Sequence, residues 1–179
     1  MELIDTHQHL IYQNEASYGW AKDIPALQSD FTVADYHNLT KDFNILGTLF
    51  MECAVDDPDY KNESNFINSL MQKSGSGIKG LILSIRPEEN IEFDKWLEES
   101  ESLGVVGYRR VLHTEPDELS QQNTFRENIS KIGKEGKPFD LCFREDQLKI
   151  AIELSKSCDE MDLILNHCGV PAIASGKMD

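Results

Sequence analysis

The sequence contains no long hydrophobic run. No apolar stretch among its 179 residues approaches the roughly 20 residues that a membrane-spanning helix needs. The first residues resemble a buried strand, and they do not show the basic, apolar and small-residue order of a secretory leader. We therefore expect a cytoplasmic protein that does not bind a membrane.

Basic residues are also scarce. The chain has 17 Lys and Arg against 32 Asp and Glu, which gives a formal net charge of −15. Most of such a surface would repel a phosphate backbone, so we expect no nucleic-acid partner. The acidic residues are dispersed along the chain, which favours a solvated surface over an acidic binding site.

Cysteine is rare, and the four residues have no Cys-x-x-Cys spacing. Cys142 and Cys168 lie in or beside apolar runs, so we expect both thiols to be buried. A reducing compartment fits this pattern better than a disulfide framework does. The sequence also lacks a Gly-rich phosphate loop, a Gly-x-Ser-x-Gly elbow and a Walker pattern.

What the sequence does contain is an alternation of six short apolar runs with helical segments. The runs cover residues 2–9, 45–52, 78–85, 104–112, 139–144 and 162–167. This alternation predicts one α/β domain over residues 1–179, built on a parallel sheet with right-handed crossovers. Six strands could complete a doubly wound sheet, whereas a (β/α)₈ barrel needs two more.

Two histidines, His7 and His9, end the first apolar run. Side chains alternate along a strand, so both share one face with Asp5. Parallel α/β proteins build their sites at the carboxyl ends of the strands. Two imidazoles there could bind one divalent cation such as zinc, with Asp5 orienting a ring. Two polar histidines with ordinary hydrogen bonds would explain the same pattern.

A third histidine strengthens the metal hypothesis. His167 ends the sixth apolar run and is followed by a turn glycine. Three histidines at the same relative place on two strands favour a shared site, in which His167 is also a candidate catalytic residue.

Further candidate residues lie at other strand ends. Arg109 is a candidate catalytic residue, because an arginine at a strand end suits a substrate carboxylate or a developing oxyanion. A salt bridge is the alternative for one of the two arginines that end the fourth run. The candidate substrate-binding residues are Arg110, His113, Arg144 and Trp20.

Four motifs in this order resemble the amidohydrolase superfamily, in its branch of amidohydrolase-related, TIM-barrel metal-dependent hydrolases that includes sugar-acid lactonases. They are "IDTHQHL", "GYRRVLHTEPDE", "FDLCFREDQL" and "LILNHCGVPAIASGKMD". The resemblance implies a (β/α)₈ barrel of which this chain holds about six βα units. It also implies that His7 and His9 are the strand-one pair and that His167 is the strand-six histidine. Arg109 would help to hold the substrate.

The sequence departs from the family pattern at three points. Arg144 follows Phe143 where the wider superfamily often has a histidine that closes strand five, which argues for one metal ion or none. Arg110 replaces a histidine that many relatives of this branch carry. The strand-eight aspartate, the family's general base, has no counterpart. We expect a fragment of a longer protein, with edge pairing in a homo-oligomer or a truncated product as the alternatives.

The resemblance implies hydrolysis of a small-molecule lactone, a sugar-acid or related cyclic ester, by water attack on the carbonyl. One divalent metal ion, zinc or similar, would polarise that carbonyl or activate the water, unless the protein works without a metal. Two alternatives stay open. One is a non-catalytic remnant that binds a small ligand or a metal, and the other is a decarboxylase of the same superfamily.

Overall fold

The computed structural model describes residues 1–158 and 160–176. Its strands are β1 (Glu2–Gln8), β2 (Asn44–Met51), β3 (Ile78–Ser84), β4 (Val105–Val111), β5 (Phe139–Cys142) and β6 (Leu163–Leu165). Its α-helices are α1 (Val33–Leu39), α2 (Tyr60–Met71), α3 (Ile91–Ser100), α4 (Asn123–Lys134) and α5 (Leu148–Ser157). Each of the six apolar runs coincides with one strand to within one residue at its start, so the predicted alternation is confirmed.

The strand order separates the two architectures that the apolar runs left open. The sheet runs β1-β2-β3-β4-β5-β6, and the strand pairs described are parallel. A doubly wound sheet reverses its order at a switch point, whereas each strand of a (β/α)₈ barrel lies beside the preceding one. The fold is therefore of the (β/α)₈ type, with six βα units, as the resemblance implied.

Local sequence signals explain where helices begin and end. Thr32 caps α1 through a reciprocal pair of hydrogen bonds with Asp35. The Thr32 hydroxyl accepts from the backbone N–H of Asp35, and the Asp35 carboxylate accepts from the backbone N–H of Thr32. A short 3₁₀ turn follows α3 and ends at Gly104, whose φ of 74° is left-handed. Glycine adopts that conformation without the steric cost of a Cβ.

The chain divides into two compact units. The first contains Met1–Ser84 and Ser100–Val106, and the second contains Ile85–Glu99 and Gly107–Asp179. The single domain over residues 1–179 stays a prediction. The last three residues of the fourth motif, 177–179, lie outside the described residues. Within the part of the chain that the structure describes, no helix is long and apolar enough to cross a membrane.

The first unit is built around β1, β2 and β3. Its interior includes Phe50, Leu81 and Leu83, which are fully buried, and Ile67 of α2 packs into the same unit. The long connection after β1 is closed by an antiparallel bridge between Ile11 and Phe31. This bridge holds the two ends of the connection together.

The second unit places α3, α4 and α5 around β4, β5 and β6. Its buried aromatic side chains include Phe125 of α4 and Phe139 of β5, whose rings meet edge to face with centroids 6.1 Å apart. Burial of such rings contributes most of the favourable free energy available to a core of this size. The strand ends of this unit carry most of the predicted site residues.

Candidate active site

In the first unit, the two histidines at the end of β1 lie in contact. Their ring centroids are 4.9 Å apart with the planes nearly perpendicular. Nδ1 of His9 lies 2.9 Å from the carbonyl oxygen of Met51. A carbonyl only accepts, so Nδ1 carries a proton, and in the neutral ring Nε2 then keeps its lone pair. That tautomer, fixed by a backbone carbonyl, is the one that a metal-binding histidine uses.

Asp5 has a different role from the one predicted for it. Its Oδ1 accepts from the backbone N–H of His7 at 3.0 Å, and its Oδ2 accepts from the Tyr36 hydroxyl at 2.8 Å. Burial and this hydrogen bond to a carboxylate raise the pKa of Tyr36. Asp5 thus fixes the backbone at the histidine pair and links β1 to α1.

Trp20 lies at the carboxyl end of β2. Its indole Nε1 donates to the carbonyl oxygen of Cys53 at 2.9 Å, and 51% of its surface is exposed. The hydrogen bond orients the ring while about half of its surface stays exposed, which is compatible with the predicted role in substrate binding. That role stays a prediction.

In the second unit, the two arginines of β4 point to opposite faces of the sheet. Strand alternation separates neighbouring residues, and the register places Arg109 beside Asp140 and Arg110 beside Leu141. Both side chains are buried, with 5% and 8% of their surfaces exposed. Only Arg109 therefore lies on the face that also carries the polar residue of β5.

Arg110 forms a buried ion pair. Its Nε and Nη2 donate to Oε1 of Glu88 at 3.0 and 2.7 Å, and Nη2 lies 3.2 Å from Oε1 of Glu115. Two carboxylates thus balance the charge of this guanidinium. This arrangement is the salt bridge that the sequence left open as the alternative role for one of the two arginines. Substrate binding by Arg110 stays a prediction.

A group of arginine and histidine side chains lies at the carboxyl ends of β4, β5 and β6. Burial lowers the pKa of His113, and the positive charges of Arg109, Arg144 and His167 lower it further. Nδ1 of His113 lies 3.2 Å from Sγ of Cys142, the last residue of β5. We call Arg109, His113, Arg144 and His167 the cationic cluster. It gathers positive charge in a strongly acidic chain.

Arg144 lies at the exposed side of the cluster. Its guanidinium donates to the backbone carbonyl of His113 and pairs with Asp146, whose Oδ1 lies 3.1 Å from Nε. These contacts connect the segment after β4 to the segment after β5. Arg144 thus keeps part of its charge near the strand ends, and its predicted contact with substrate stays a prediction.

The segment after β6 is a left-handed turn. His167, Cys168, Gly169 and Val170 have φ values of 52°, 53°, 75° and 49°. Three of these residues are not glycine, and each costs roughly 1–2 kcal/mol in that conformation. The turn exposes both His167 and Cys168, so the expectation of a buried Cys168 was wrong, whereas Cys142 is buried as predicted. Apolar neighbours in sequence could not reveal that the chain turns outward here.

The predicted metal ligands fall in both units, with His7 and His9 in the first and His167 in the second. The His9 tautomer fits a metal ligand. Within residues 1–158 and 160–176, no group of three or more His, Cys, Asp or Glu side chains is arranged to hold a metal ion. The three-histidine site therefore stays a prediction.

Comparison with known proteins agrees with this architecture. The family model described as Amidohydrolase matches residues 4–179 of the chain. The chain belongs to the amidohydrolase family. The uncharacterized protein y4mH of Sinorhizobium fredii is 23% identical over 187 residues, which cover 94% of this chain and 62% of y4mH.

Solved structures of other amidohydrolases show the same fold. An amidohydrolase from Burkholderia multivorans with bound HEPES has a TM-score of 0.84 at 20% identity, and the match covers 98% of this chain and 60% of that protein. Its zinc-bound form has a TM-score of 0.78 at 18% identity, and the match covers 96% of this chain and 59% of that protein. A probable 2-pyrone-4,6-dicarboxylic acid hydrolase from Acinetobacter baumannii, with citric acid bound, has a TM-score of 0.71 at 16% identity, and the match covers 94% of this chain and 59% of that protein. The chain thus spans about 60% of the length of these relatives.

Sequence reasoning missed several residues that shape the site of this amidohydrolase. Asp140 and Asn166 form a buried hydrogen bond next to the cluster, and Glu88 and Glu115 hold Arg110. Asp140 gave one usable signal, because a carboxylate inside a short apolar strand run is seldom buried without a partner. The two glutamates gave none, since they stand in acidic loops typical of a solvated surface.

Proposed function

We propose that this amidohydrolase hydrolyses a lactone that carries one or more carboxylate groups. The cationic cluster is the observation that carries the proposal. In a chain of net charge −15, two arginines and two histidines lie near one another at the carboxyl ends of three parallel strands. Such a site attracts a small anion, and strand ends of this kind hold the active sites of (β/α)₈ enzymes.

Arg109 is the group that we assign to the substrate carboxylate or to the oxyanion. Its guanidinium is buried on the Asp140 face of β4, where a charge-assisted pair with an anion is little screened by water. Arg144 lies closer to solvent and would attract the anion to the site. His113, whose lowered pKa keeps its ring neutral at neutral pH, can accept or donate a hydrogen bond.

The reaction needs only water as a second reactant. Water adds to the ester carbonyl, the ring C–O bond breaks, and the released oxygen takes a proton to give a ring-opened acid. The proposed charge preference agrees with a relative of similar fold, a probable 2-pyrone-4,6-dicarboxylic acid hydrolase from Acinetobacter baumannii whose structure holds citric acid.

A metal ion is a further part of the proposal. The Burkholderia multivorans amidohydrolase has been determined with zinc. In this chain His7 and His9 would hold one divalent cation, with His167 as the third predicted ligand. When bound, the ion would polarise the carbonyl or lower the pKa of a water molecule.

The test uses the full 179-residue chain with 2-pyrone-4,6-dicarboxylate and with an uncharged lactone of similar ring size. We expect ring opening of the dicarboxylate, followed by ultraviolet absorbance, and little reaction of the uncharged lactone. Arg109→Gln should raise KM about tenfold or more, because a charge-assisted pair contributes roughly 1.5–3 kcal/mol. Arg126→Gln, on α4, is the matched control and should change KM little.

Two results would overturn the proposal. One is equal activity on both lactones with no effect of Arg109→Gln. The other is the absence of both turnover and calorimetric binding of the dicarboxylate. Release of carbon dioxide without ring opening would instead support the decarboxylase, and binding without any reaction would support the non-catalytic remnant.

A further inference from the structure

A buried polar pair lies at the base of the segment that carries His167. Asp140 is the second residue of β5, and Asn166 is the first residue after β6. They are 2% and 5% exposed, and Nδ2 of Asn166 donates to Oδ1 of Asp140 at 2.6 Å. A carboxylate only accepts, so the amide has to present its nitrogen to Asp140. One rotamer of Asn166 is thereby selected.

That rotamer leaves an acceptor unused. Oδ1 of Asn166 is buried and has no hydrogen-bond partner within residues 1–158 and 160–176. A buried acceptor in that state opposes folding, so the amide is a poor choice for stability alone. Its retention is better explained by what it does to the backbone that follows.

The backbone that follows is held at both ends. Asn166 enters the left-handed turn, and at its exit the N–H of Ala172 donates to Oε2 of Glu145 at 2.9 Å. Inside the turn, the N–H of Val170 donates to the carbonyl of His167 at 2.9 Å. Such a backbone persists only where its surroundings determine it, and strained backbone of this kind clusters at functional sites.

Gly169 adds a packing constraint at the centre of the turn. A Cβ there would lie 2.9 Å from Cδ2 of Leu148, and its φ of 75° already favours glycine. The turn therefore packs closely onto α5 while its first residue, His167, stays exposed. This arrangement fixes the direction of one imidazole.

We propose that Asp140 and Asn166 are positioning residues, which hold the left-handed turn of residues 167–170 and thereby fix His167 at the cationic cluster. Only the role of His167 in the reaction rests on the proposed function. The hold on the turn can be measured without any substrate.

The first experiment measures amide hydrogen exchange by NMR in the full chain. Asn166→Ala should speed exchange of the Val170 amide about tenfold or more, relative to Ile132 of α4, because the turn loses its anchor. Asp140→Asn keeps an acceptor and should stay within about threefold of the wild type. Asn128→Ala is the matched control, since this buried amide donates to the carbonyl of Pro87 at 2.9 Å, away from the turn.

The second experiment separates positioning from general stabilisation. With 2-pyrone-4,6-dicarboxylate, Asn166→Ala and His167→Ala should each lower kcat about tenfold, with KM within roughly threefold. Asp140→Asn should retain most of the wild-type kcat, and Asn128→Ala should change neither constant. Unchanged exchange at Val170 in Asn166→Ala would overturn the proposal, and so would a kcat that falls equally in Asn128→Ala. If the wild type has no turnover, the proposed function fails, while the exchange result still decides whether the pair holds the turn.

Discussion

Replacing Arg110 by methionine tests whether this arginine is structural. Methionine keeps much of the apolar stem and removes the guanidinium, so Oε1 of Glu88 loses donors at 3.0 and 2.7 Å. Glu115 loses a contact at 3.2 Å. The Arg110 and Glu88 side chains are 9% and 17% exposed, which leaves the Glu88 carboxylate largely buried without its counterion.

The size of the effect follows from that burial. Removing one partner of a buried ion pair costs about 3–5 kcal/mol, and an exposed pair contributes about 0–1 kcal/mol. The pair with Glu88 is close to the buried limit, whereas the Glu115 side chain is 31% exposed and adds little. We expect Arg110→Met to lower the free energy of unfolding by about 3 kcal/mol, because some water reaches Glu88.

Urea unfolding followed by circular dichroism measures this loss. The double variant Glu88→Gln with Arg110→Met should recover about 1–2 kcal/mol, since no uncompensated charge remains. Arg109→Met supplies the comparison, because it should affect dicarboxylate binding more than Arg110→Met does. A loss below about 1 kcal/mol for Arg110→Met, the size of an exposed pair, would refute the structural reading. The structural role of Arg110 would also be refuted if Arg110→Met bound the dicarboxylate more weakly than Arg109→Met does.

Two further predictions concern the cationic cluster and the turn. The pKa of His113 is held below its ordinary value of 6.5, so the unfolded chain binds more protons at this residue than the folded chain does. The free energy of unfolding should therefore fall as the pH drops below 6.5. His113→Gln should flatten this pH dependence, measured by urea unfolding between about pH 5 and pH 7. Val170→Gly should raise the free energy of unfolding by up to about 1 kcal/mol, because removing left-handed strain outweighs the added freedom of glycine, and a lower urea midpoint would contradict this.

The sequence was sufficient to predict most of the architecture. Apolar runs bounded by Gly, Pro and Asp mark all six strands, because buried parallel strands are short and continuously apolar. Thr32 marked the start of α1 through its cap. The choice between a doubly wound sheet and a barrel could not be made from the runs, since both alternate strands with helices and differ only in which strands pair.

The candidate site was predictable in its location and less so in its contacts. Strand ends pointed to Arg109, His113 and Arg144, because the carboxyl ends of parallel strands meet at one edge. Strand alternation places Arg109 and Arg110 on opposite faces of the sheet, but it could not tell which carboxylate would pair with Arg110. That depended on Glu88, which is 22 residues away in sequence.

The left-handed turn is the feature that local sequence signals predicted least. Glycine suggested a turn, and only Gly169 fits the usual preference, whereas His167 and Val170 adopt the same conformation against theirs. Tertiary contacts overrule the local preference when they contribute more than the strain costs, and the bond from Asn166 to Asp140 is one such contact. A rule based on neighbouring residues has no access to a partner 26 positions earlier.

The net negative charge of the chain and the positive charge of the cationic cluster act on an anion over different distances. Salt at physiological strength screens exposed charges beyond about 8 Å, so the dispersed acidic residues repel an approaching anion only weakly at close range. A buried guanidinium such as Arg109 is screened much less, and its attraction persists where the anion is in contact. A net charge of −15 is therefore compatible with the proposed dicarboxylate substrate, provided that the acidic residues stay on the solvated surface and the few cations converge. If the acidic residues lay at the strand ends and the cations were dispersed over the surface, the same composition would not attract an anion to the site.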